Sequence, residues 1–280
     1  MLGRSGVEVG RIGLGSSYGM GQVDIERGFE RGINFLYWGA LRHPGFGKAI
    51  REIARRHRDE LVVAIQSYSR SSLAIGRSVE LALRRLHIEY ADILVLGWWN
   101  RTPSDRILDA ALTLREAGKI RHLMISCHHR PAFASIIADP CYDAIMVRYN
   151  AACRGAEQEV FPRIAESDAP PGVAAFTATR WGTLLAPHLV PQGEPTPRAS
   201  DCYRFALTHP QVHMCISRPK NRAELDETLA ALERGPMDQD ELAWMHRVGE
   251  TVYRAWSGRT MPWQVARRLA RALRRRQLPS

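Results

Sequence analysis

Residues 32–39 read Gly32-Ile33-Asn34-Phe35-Leu36-Tyr37-Trp38-Gly39, a short apolar run that carries two aromatic residues and a glycine where it ends. A short apolar run bounded by glycines is typical of a strand buried on both faces, as in parallel sheets. The rest of the chain repeats the same order of strand, loop and helix. This pattern predicts a parallel α/β architecture whose chemistry lies where the strands end.

The chain divides into eight units of this kind. The predicted strand segments are Val7–Tyr18, which ends in a Gly/Ser turn, Phe35–Trp38, Glu60–Gln66, Asp92–Leu96, Ile120–Ser126, Ala144–Tyr149, Val173–Thr177 and Val212–Ser217. The predicted helices are Val23–Arg31, Gly47–Arg56, Ser72–Leu86, Asp105–Ala117, Pro131–Ala138, Ala156–Ala165, Ser200–Thr208, Ala223–Glu233 and an extra Asp238–Tyr253. Eight parallel strands are the number that closes a barrel, so we predict an α/β fold of the (β/α)8 TIM-barrel class. A doubly wound sheet is the alternative, but no GxGxxG sequence follows the first strand.

Length and composition suit one barrel domain. With 280 residues, 45% of them apolar, the chain can bury a core of this size, and we assign residues 1–257 to the barrel. No apolar run reaches the ~18 residues of a membrane span and no signal-peptide pattern opens the chain, so we expect a cytoplasmic protein. The five cysteines lack CxxC spacing and are predicted to be reduced thiols. Consecutive Cys127, His128 and His129 do not have the spacing of zinc ligands, so no metal site is expected.

The formal charge of +10 is concentrated at the end of the sequence. Residues 258–280 contain seven arginines and no acidic residue, which leaves the body with a net charge of only +3. Apolar residues recur there at helical spacing with arginines on the other face, as in a cationic amphipathic helix. This tail either packs on the body with its arginines solvated, or contacts an acidic partner, a membrane surface or nucleic acid. The body itself is not expected to bind DNA.

A closed parallel barrel has its functional site at the C-terminal ends of its strands. The segments that follow the predicted strands are therefore the candidate site residues. These segments are rich in aromatic residues and nitrogen donors and contain no carboxylate, which argues against a divalent metal and against a pair of glycosidase acids. They are residues 16–18, 37–43, 66–68, 97–99, 126–129, 149–150, 176–181 and 217–222.

Several motifs, in order over residues 7–253, resemble the aldo-keto reductase superfamily. The motifs are Ile12-Gly13-Leu14-Gly15, Gly32-Ile33-Asn34-Phe35, Asp92-Ile93-Leu94-Val95-Leu96, residues 118–126 (GKIRHLMIS), Tyr149-Asn150 and residues 223–229 (AELDETL). The resemblance implies a (β/α)8 barrel that binds NADPH in extended form at the strand ends and reduces a small-molecule carbonyl substrate.

The catalytic tetrad of that family, Asp, Tyr, Lys and His, is absent at the matching positions. Tyr37 stands in the place of the Asp, Gln66 in that of the Lys and Gly97 in that of the His, while the Tyr position falls on Arg42 or is missing. A general acid of this kind contributes roughly 10²- to 10⁴-fold to the rate, so reduction by the usual route is not expected.

Substitutes for the lost groups can be named from position. His43 and His128 are candidate acids, because imidazole titrates near neutral pH, with Tyr37 or Tyr68 as a hydrogen-bond donor. The alternative for both histidines is an ordinary surface or packing role.

The resemblance also identifies the positions that would hold the cofactor. Phe176 matches the aromatic residue that stacks on nicotinamide, and Glu224 replaces an arginine usual in the last helix, which leaves open whether the cofactor is NADPH or NADH. The candidate cofactor-binding residues are Ser126, Phe176, Thr177, Thr179, Arg180, Ser217, Lys220, Arg222, Glu227 and Thr228.

Two classes of function follow. The first is an NAD(P)H-dependent oxidoreductase with an atypical proton donor. The second is a non-catalytic sensor or partner subunit that binds a dinucleotide or another small ligand, with the arginine-rich tail as its contact.

Overall fold

The fold is a single closed barrel of eight parallel strands surrounded by helices. A computed structural model describes residues 1–39 and 43–257. The strands occur in the barrel in chain order, and β8 pairs with β1 to close it. They are β1 Ile12–Gly15, β2 Phe35–Trp38, β3 Val62–Ser67, β4 Ala91–Trp99, β5 Ile120–Cys127, β6 Ala144–Arg148, β7 Gly172–Phe176 and β8 Met214–Ser217. The predicted (β/α)8 class is therefore confirmed.

Ten helices are seen in the described part of the chain. They are α1 Gln22–Glu30, α2 Pro44–His57, α3 Ser72–Leu86, α4 Asp105–Glu116, α5 Phe133–Ala138, α6 Ala156–Glu159, α7 Phe161–Ala165, α8 Ala199–Thr208, α9 Arg222–Arg234 and α10 Gln239–Ser257. Two calls fall outside the described residues, namely the Tyr position at Arg42 and the tail 258–280. No helix of the described part is both long enough and apolar enough to cross a membrane.

Buried side chains form two cores. Inward-facing residues of the strands fill the barrel, where Leu2, Val7 and Val9 also pack and occupy its lower end. Outward-facing residues of the strands pack against the helices in a second, larger cluster. This alternation explains why the strands read as continuous apolar runs, since both of their faces are buried.

Several predicted elements have different bounds, and three of them have a clear physical reason. The first strand begins only at Ile12, because Val7 and Val9 lie under the barrel rather than in its sheet. The helix predicted over 156–165 is two short helices, since the chain leaves helical geometry at Val160 and Pro162 then opens the second. The fourth strand continues past Leu96 to Trp99, with an irregular register between these two residues.

Helix α10 closes on the loop that follows β6. Gly249 lies so close to Ala151 that a Cβ added at the glycine would stand 2.1 Å from the Ala151 carbonyl oxygen. The start of α10 is tied to α8, where Arg204 donates to the Glu241 carboxylate and to the carbonyl oxygen of Gly235. The extra helix is therefore an integral part of the barrel domain.

Candidate functional site

A cavity of about 140 Å³ lies at the mouth of the barrel, at the C-terminal ends of the strands. It is lined by Tyr37, Gln66, Tyr68, Trp98, Ser126, His128, Met146, Phe176, Thr177, Trp181 and Arg218. A larger hollow of about 900 Å³ lies at the opposite end, among residues such as Val9, Asn34 and Asp92. Because barrel enzymes act at the C-terminal ends of their strands, the smaller cavity is the candidate site.

Three positions that the sequence analysis matched to tetrad residues, Tyr37, Gln66 and Gly97, lie together here. The Tyr37 hydroxyl donates a hydrogen bond to Gln66 Oε1, and both side chains are buried. The Gln66 amide occupies the space over Gly97, where an added Cβ would lie 2.4 Å from Gln66 Nε2 and 2.9 Å from Tyr68 Cδ1. A neutral Tyr–Gln pair thus lies at the mouth, and residue 97 has no room for a side chain while Gln66 stays in place.

His128 lines the cavity as a neutral imidazole. Arg148 Nη2 lies 2.7 Å from His128 Nδ1, and because a guanidinium can only donate, the ring proton is assigned to Nε2. Burial and the nearby Arg148 charge lower the pKa of His128 to about 4. His128 is consequently a hydrogen-bond donor through Nε2 near neutral pH, and its role as an acid stays a prediction.

The imidazole of His128 is fixed between two aromatic side chains. Its centroid lies 5.5 Å from that of Trp98 and 5.5 Å from that of Phe176, which meets it edge-on. These contacts hold the side chain of Phe176 against one wall of the cavity.

His43, the other candidate acid, lies elsewhere. It precedes α2, its Nε2 is 3.2 Å from the Ser17 carbonyl oxygen, and its ring packs near Gly19. It is not among the described residues that line the cavity.

The predicted cofactor residues at the end of β7 and in the turn after it form one side of the mouth. Phe176, Thr177 and Ser126, which lies on β5 two strands away, all line the cavity. The Thr177 hydroxyl donates to the Phe176 carbonyl oxygen at 2.6 Å, and the Thr177 carbonyl accepts from Asn150 at 2.8 Å. Thr179 and Arg180 follow in the turn, where the Arg180 amide donates to the Thr177 carbonyl at 2.8 Å.

The residues predicted after β8 divide into internal and exposed groups. Ser217 is buried, with its hydroxyl 2.7 Å from the Tyr203 hydroxyl and 3.1 Å from that of Thr228. Thr228 in turn donates to the Glu224 carbonyl oxygen at 2.8 Å. These two hydroxyls therefore hold β8 to its neighbouring helices, and their assignment as cofactor ligands stays a prediction.

Glu227, Lys220 and Arg222 have protein partners as well. The Glu227 carboxylate accepts from the Ser200 hydroxyl at 2.6 Å. Arg222 Nε lies 2.8 Å from an Asp24 carboxylate oxygen. Lys220 Nζ lies 3.9 Å from Glu224, and it is more than half exposed.

Backbone conformation sets the mouth apart from the rest of the barrel. Among the described non-glycine residues, five have a positive φ, and four of them lie here. These are Trp98 at 55°, Thr177 at 59°, Arg180 at 50° and Trp181 at 54°. Each such conformation costs roughly 1–2 kcal/mol for a residue with a Cβ, and such costs concentrate at ligand sites.

Sequence reasoning did not single out Arg148, and it placed Arg218 only within a basic cluster after the eighth strand, suited to the adenosine 2′-phosphate. Arg218 lines the cavity, whereas its predicted neighbours Lys220 and Arg222 do not. A signal for Arg148 was present, since it is a charged residue at the C-terminal end of an otherwise apolar strand. Among the described residues, no group of three or more His, Cys, Asp or Glu side chains is arranged to hold a metal ion.

Comparison with known proteins identifies the fold. No protein-family model matches the chain. An aldo-keto reductase from Bacillus halodurans in its holo form has 21% sequence identity and a TM-score of 0.74, covering 88% of this chain and 94% of that one. An aldo/keto reductase from Klebsiella pneumoniae in complex with NADP and acetate has 22% identity and a TM-score of 0.72, covering 86% and 92%.

A putative 2,5-diketo-D-gluconic acid reductase B is similar as well, with 17% identity, a TM-score of 0.70 and coverage of 89% of this chain and 92% of that one. The chain therefore has the fold of the aldo-keto reductases over most of its length, as its sequence motifs indicated. At these identities the likeness extends to the fold alone.

Proposed function

We propose that this barrel binds NADPH or NADH at its mouth, with the nicotinamide ring in the cavity, and that it does not reduce carbonyl compounds by the tetrad route. One observation carries the proposal. Phe176, Ser126 and Thr177 line the same cavity at the C-terminal ends of the strands. The NADP complex of the Klebsiella pneumoniae structure, which has the same fold, supports the choice of ligand.

The size and walls of the cavity suit one ring. About 140 Å³ is well below the ~300–1,000 Å³ that hold a drug-sized ligand, so the remainder of a dinucleotide would lie outside it. Phe176 offers an aromatic face and Ser126 a hydroxyl, which fit a flat ring that carries a carboxamide.

The surface beyond the cavity is compatible with phosphate. Lys220 and Arg222 are exposed, and exposed ion pairs are worth only about 0–1 kcal/mol, so their carboxylate partners do not exclude a phosphate group. Glu224 next to Lys220 opposes a 2′-phosphate, which makes the relative affinity for NADPH and NADH informative.

The chemistry of the mouth favours binding over fast turnover. Bound NADPH supplies a hydride, but reduction also needs a proton at the carbonyl oxygen. The Tyr37 hydroxyl is bonded to the neutral Gln66 amide, His128 is neutral, and burial raises the pKa of Tyr68. These groups can donate hydrogen bonds to an oxygen, but burial raises the pKa of Tyr68 by more than the charge of Arg218 lowers it.

This arrangement also supports the second candidate, a non-catalytic protein that senses or responds to a dinucleotide or another small ligand. The neutral Tyr37–Gln66 pair is the specific observation in its favour, because it retains a packed pocket without an acid tuned for proton transfer. Binding of the cofactor without turnover would separate this role from that of an oxidoreductase.

Titration with NADPH and with NADH tests the proposal. Trp98 and Trp181 line the cavity, so quenching of tryptophan fluorescence should report binding. We expect Phe176→Ala to weaken binding by about tenfold, the loss of one good stacking contact. Trp181→Phe should reduce the quenching, whereas the control Trp244→Phe, on α10, should not.

Turnover is followed in the same samples by oxidation of the nicotinamide with a panel of aldehydes. Slow or absent oxidation together with tight binding is the expected result. The proposal is wrong if neither cofactor binds at millimolar concentration, or if aldehydes are reduced at a rate typical of enzymes that have the full tetrad.

A further inference from the structure

Arg218 brings a positive charge into the wall of the cavity. Its side chain lies against Gly15, where an added Cβ would be 2.9 Å from Nε, and its guanidinium carbon is 5.6 Å from the centroid of the Tyr37 ring. Nε is buried and has no hydrogen-bond partner among the described residues. No described carboxylate lies within ion-pair distance of Arg218, and residues 40–42 and 258–280 contain no aspartate or glutamate.

Arg148 adds a second guanidinium, which lies behind the cavity-lining side chains of His128 and Trp181. It donates to His128 and lies 5.2 Å from the ring centroid of Trp181, and its buried Nε has no described partner. Burial and the charges of Arg180 and Arg130 lower its pKa. A cation in such surroundings is costly, and a ligand anion would offset that cost.

The rim of the cavity is aromatic and open to solvent. Trp98 is 59% exposed, Trp181 is 58% exposed and Tyr68 is 46% exposed, although all three line the cavity. Large exposed aromatic side chains gathered around a hollow mark a binding surface for flat apolar groups. The two tryptophans also have left-handed backbone conformations, so the fold maintains them there at a cost in energy.

We propose that the substrate or ligand of this mouth is a small planar compound with a carboxylate, such as an aromatic carbonyl compound that also bears an acid group. Arg218 pairs with the carboxylate, His128 donates a hydrogen bond, and the ring lies among Trp98, Trp181 and Tyr68. The inference rests on the proposed function, since it names the substrate class of the same site. It follows from the coincidence of an uncompensated guanidinium in the cavity wall with an exposed aromatic rim, on which the ring of the ligand lies outside the space that the nicotinamide fills.

Four probes test the inference on the full chain by isothermal calorimetry. Benzoate has the flat ring and the charge, benzamide keeps the ring without the charge, cyclohexanecarboxylate keeps the charge without the flat ring, and inorganic phosphate is an anion alone. We expect benzoate to bind at least tenfold more tightly than each of the others, and its affinity to fall as salt is raised.

Variants identify the residue that recognises the anion. Arg218→Gln should remove the preference for benzoate over benzamide, and Arg218→Lys, which retains the charge but not the planar fork, should keep part of it. Arg31→Gln, which changes the charge equally at an exposed ion pair outside the cavity, should leave the preference intact.

Several results would overturn the inference. They are equal binding of benzoate and benzamide, an unchanged preference in Arg218→Gln that folds normally by circular dichroism, or phosphate binding as tight as that of benzoate, which would assign the guanidinium to a cofactor phosphate. NADPH titrations of the same samples keep the two proposals apart. Cofactor binding without a benzoate preference removes only the substrate class, whereas a benzoate preference without cofactor binding removes only the dinucleotide.

Discussion

Gly97→Ala is predicted to destabilise the fold, although it adds only one methyl group. Gly97 does not have a positive φ, so its backbone accepts alanine without strain. The added Cβ would lie 2.4 Å from Gln66 Nε2 and 2.9 Å from Tyr68 Cδ1, both closer than atoms of this type approach. The Gln66 amide must move, and we expect the movement to break the hydrogen bond that its Oε1 accepts from the buried Tyr37 hydroxyl.

The size of the effect follows from that bond. Leaving a buried donor or acceptor unsatisfied costs about 1–3 kcal/mol, and displacement of the Tyr68 ring adds a smaller amount, so we expect a loss of about 2 kcal/mol. When Gln66→Ala has already removed the amide, Gly97→Ala should cost less than about 1 kcal/mol. The double-mutant cycle should therefore show a coupling of at least about 1 kcal/mol between residues 66 and 97.

Urea unfolding measures all four proteins of the cycle. A change in the urea midpoint at constant m-value reports a change in stability. In thermal unfolding, Gly97→Ala should melt roughly 4–8 °C below the wild-type chain. If Gly97→Ala costs the same with and without the Gln66 side chain, Gln66 does not occupy the space over residue 97. Our account of why residue 97 is a glycine would then be wrong.

Two further predictions concern protonation and packing. The lowered pKa of His128, about 4 against an ordinary 6.5, means that the unfolded chain binds this proton more readily, so stability should fall as pH drops from 6.5 towards 4. Urea titrations should show a shallower acid loss for His128→Gln than for wild type, and parallel curves would contradict this. Gly249→Ala should cost about 2–4 kcal/mol, because the Ala151 carbonyl backbone at 2.1 Å cannot move aside. Gly76→Ala, on α3 where an added Cβ meets only open space, should instead stabilise the fold by about 0.5–1 kcal/mol. Thermal melts measure both glycine variants.

The architecture could be predicted because buried parallel strands have a local signature. Each apolar run followed by a turn and a helical pattern is recorded in consecutive residues, and the helix Ser72–Leu86 was predicted with the bounds that the structure shows. The misplaced first strand illustrates the limit. Val7 and Val9 are apolar and alternate like a strand, but whether they join the sheet or fill the base of the barrel depends on space that only the closed barrel defines.

The site was only partly predictable for a related reason. Residues at the strand ends could be gathered from sequence, yet the partner of each polar group comes from distant parts of the chain. Arg222 is neutralised by Asp24, nearly two hundred residues earlier, while Arg218, four residues before it, faces the cavity. In the sequence, Arg218 and Arg222 belong to the same basic cluster. The sequence alone cannot show which of them is paired with a carboxylate.

Tyr37, Gln66 and Gly97, the residues that the sequence analysis matched to tetrad positions, fit one another, and this bears on function. Tyr37 donates to Gln66, and Gln66 covers Gly97, so no one of the three can revert without disturbing the next. Side chains that did not fit one another would leave voids or unpaired polar atoms, which cost free energy. Here the substituted residues are packed and bonded, and a ring-sized cavity remains beside them with a guanidinium in its wall. A mouth with neutral side chains at these positions and a shaped, positively charged hollow beside them fits our proposal that it holds an anionic ligand.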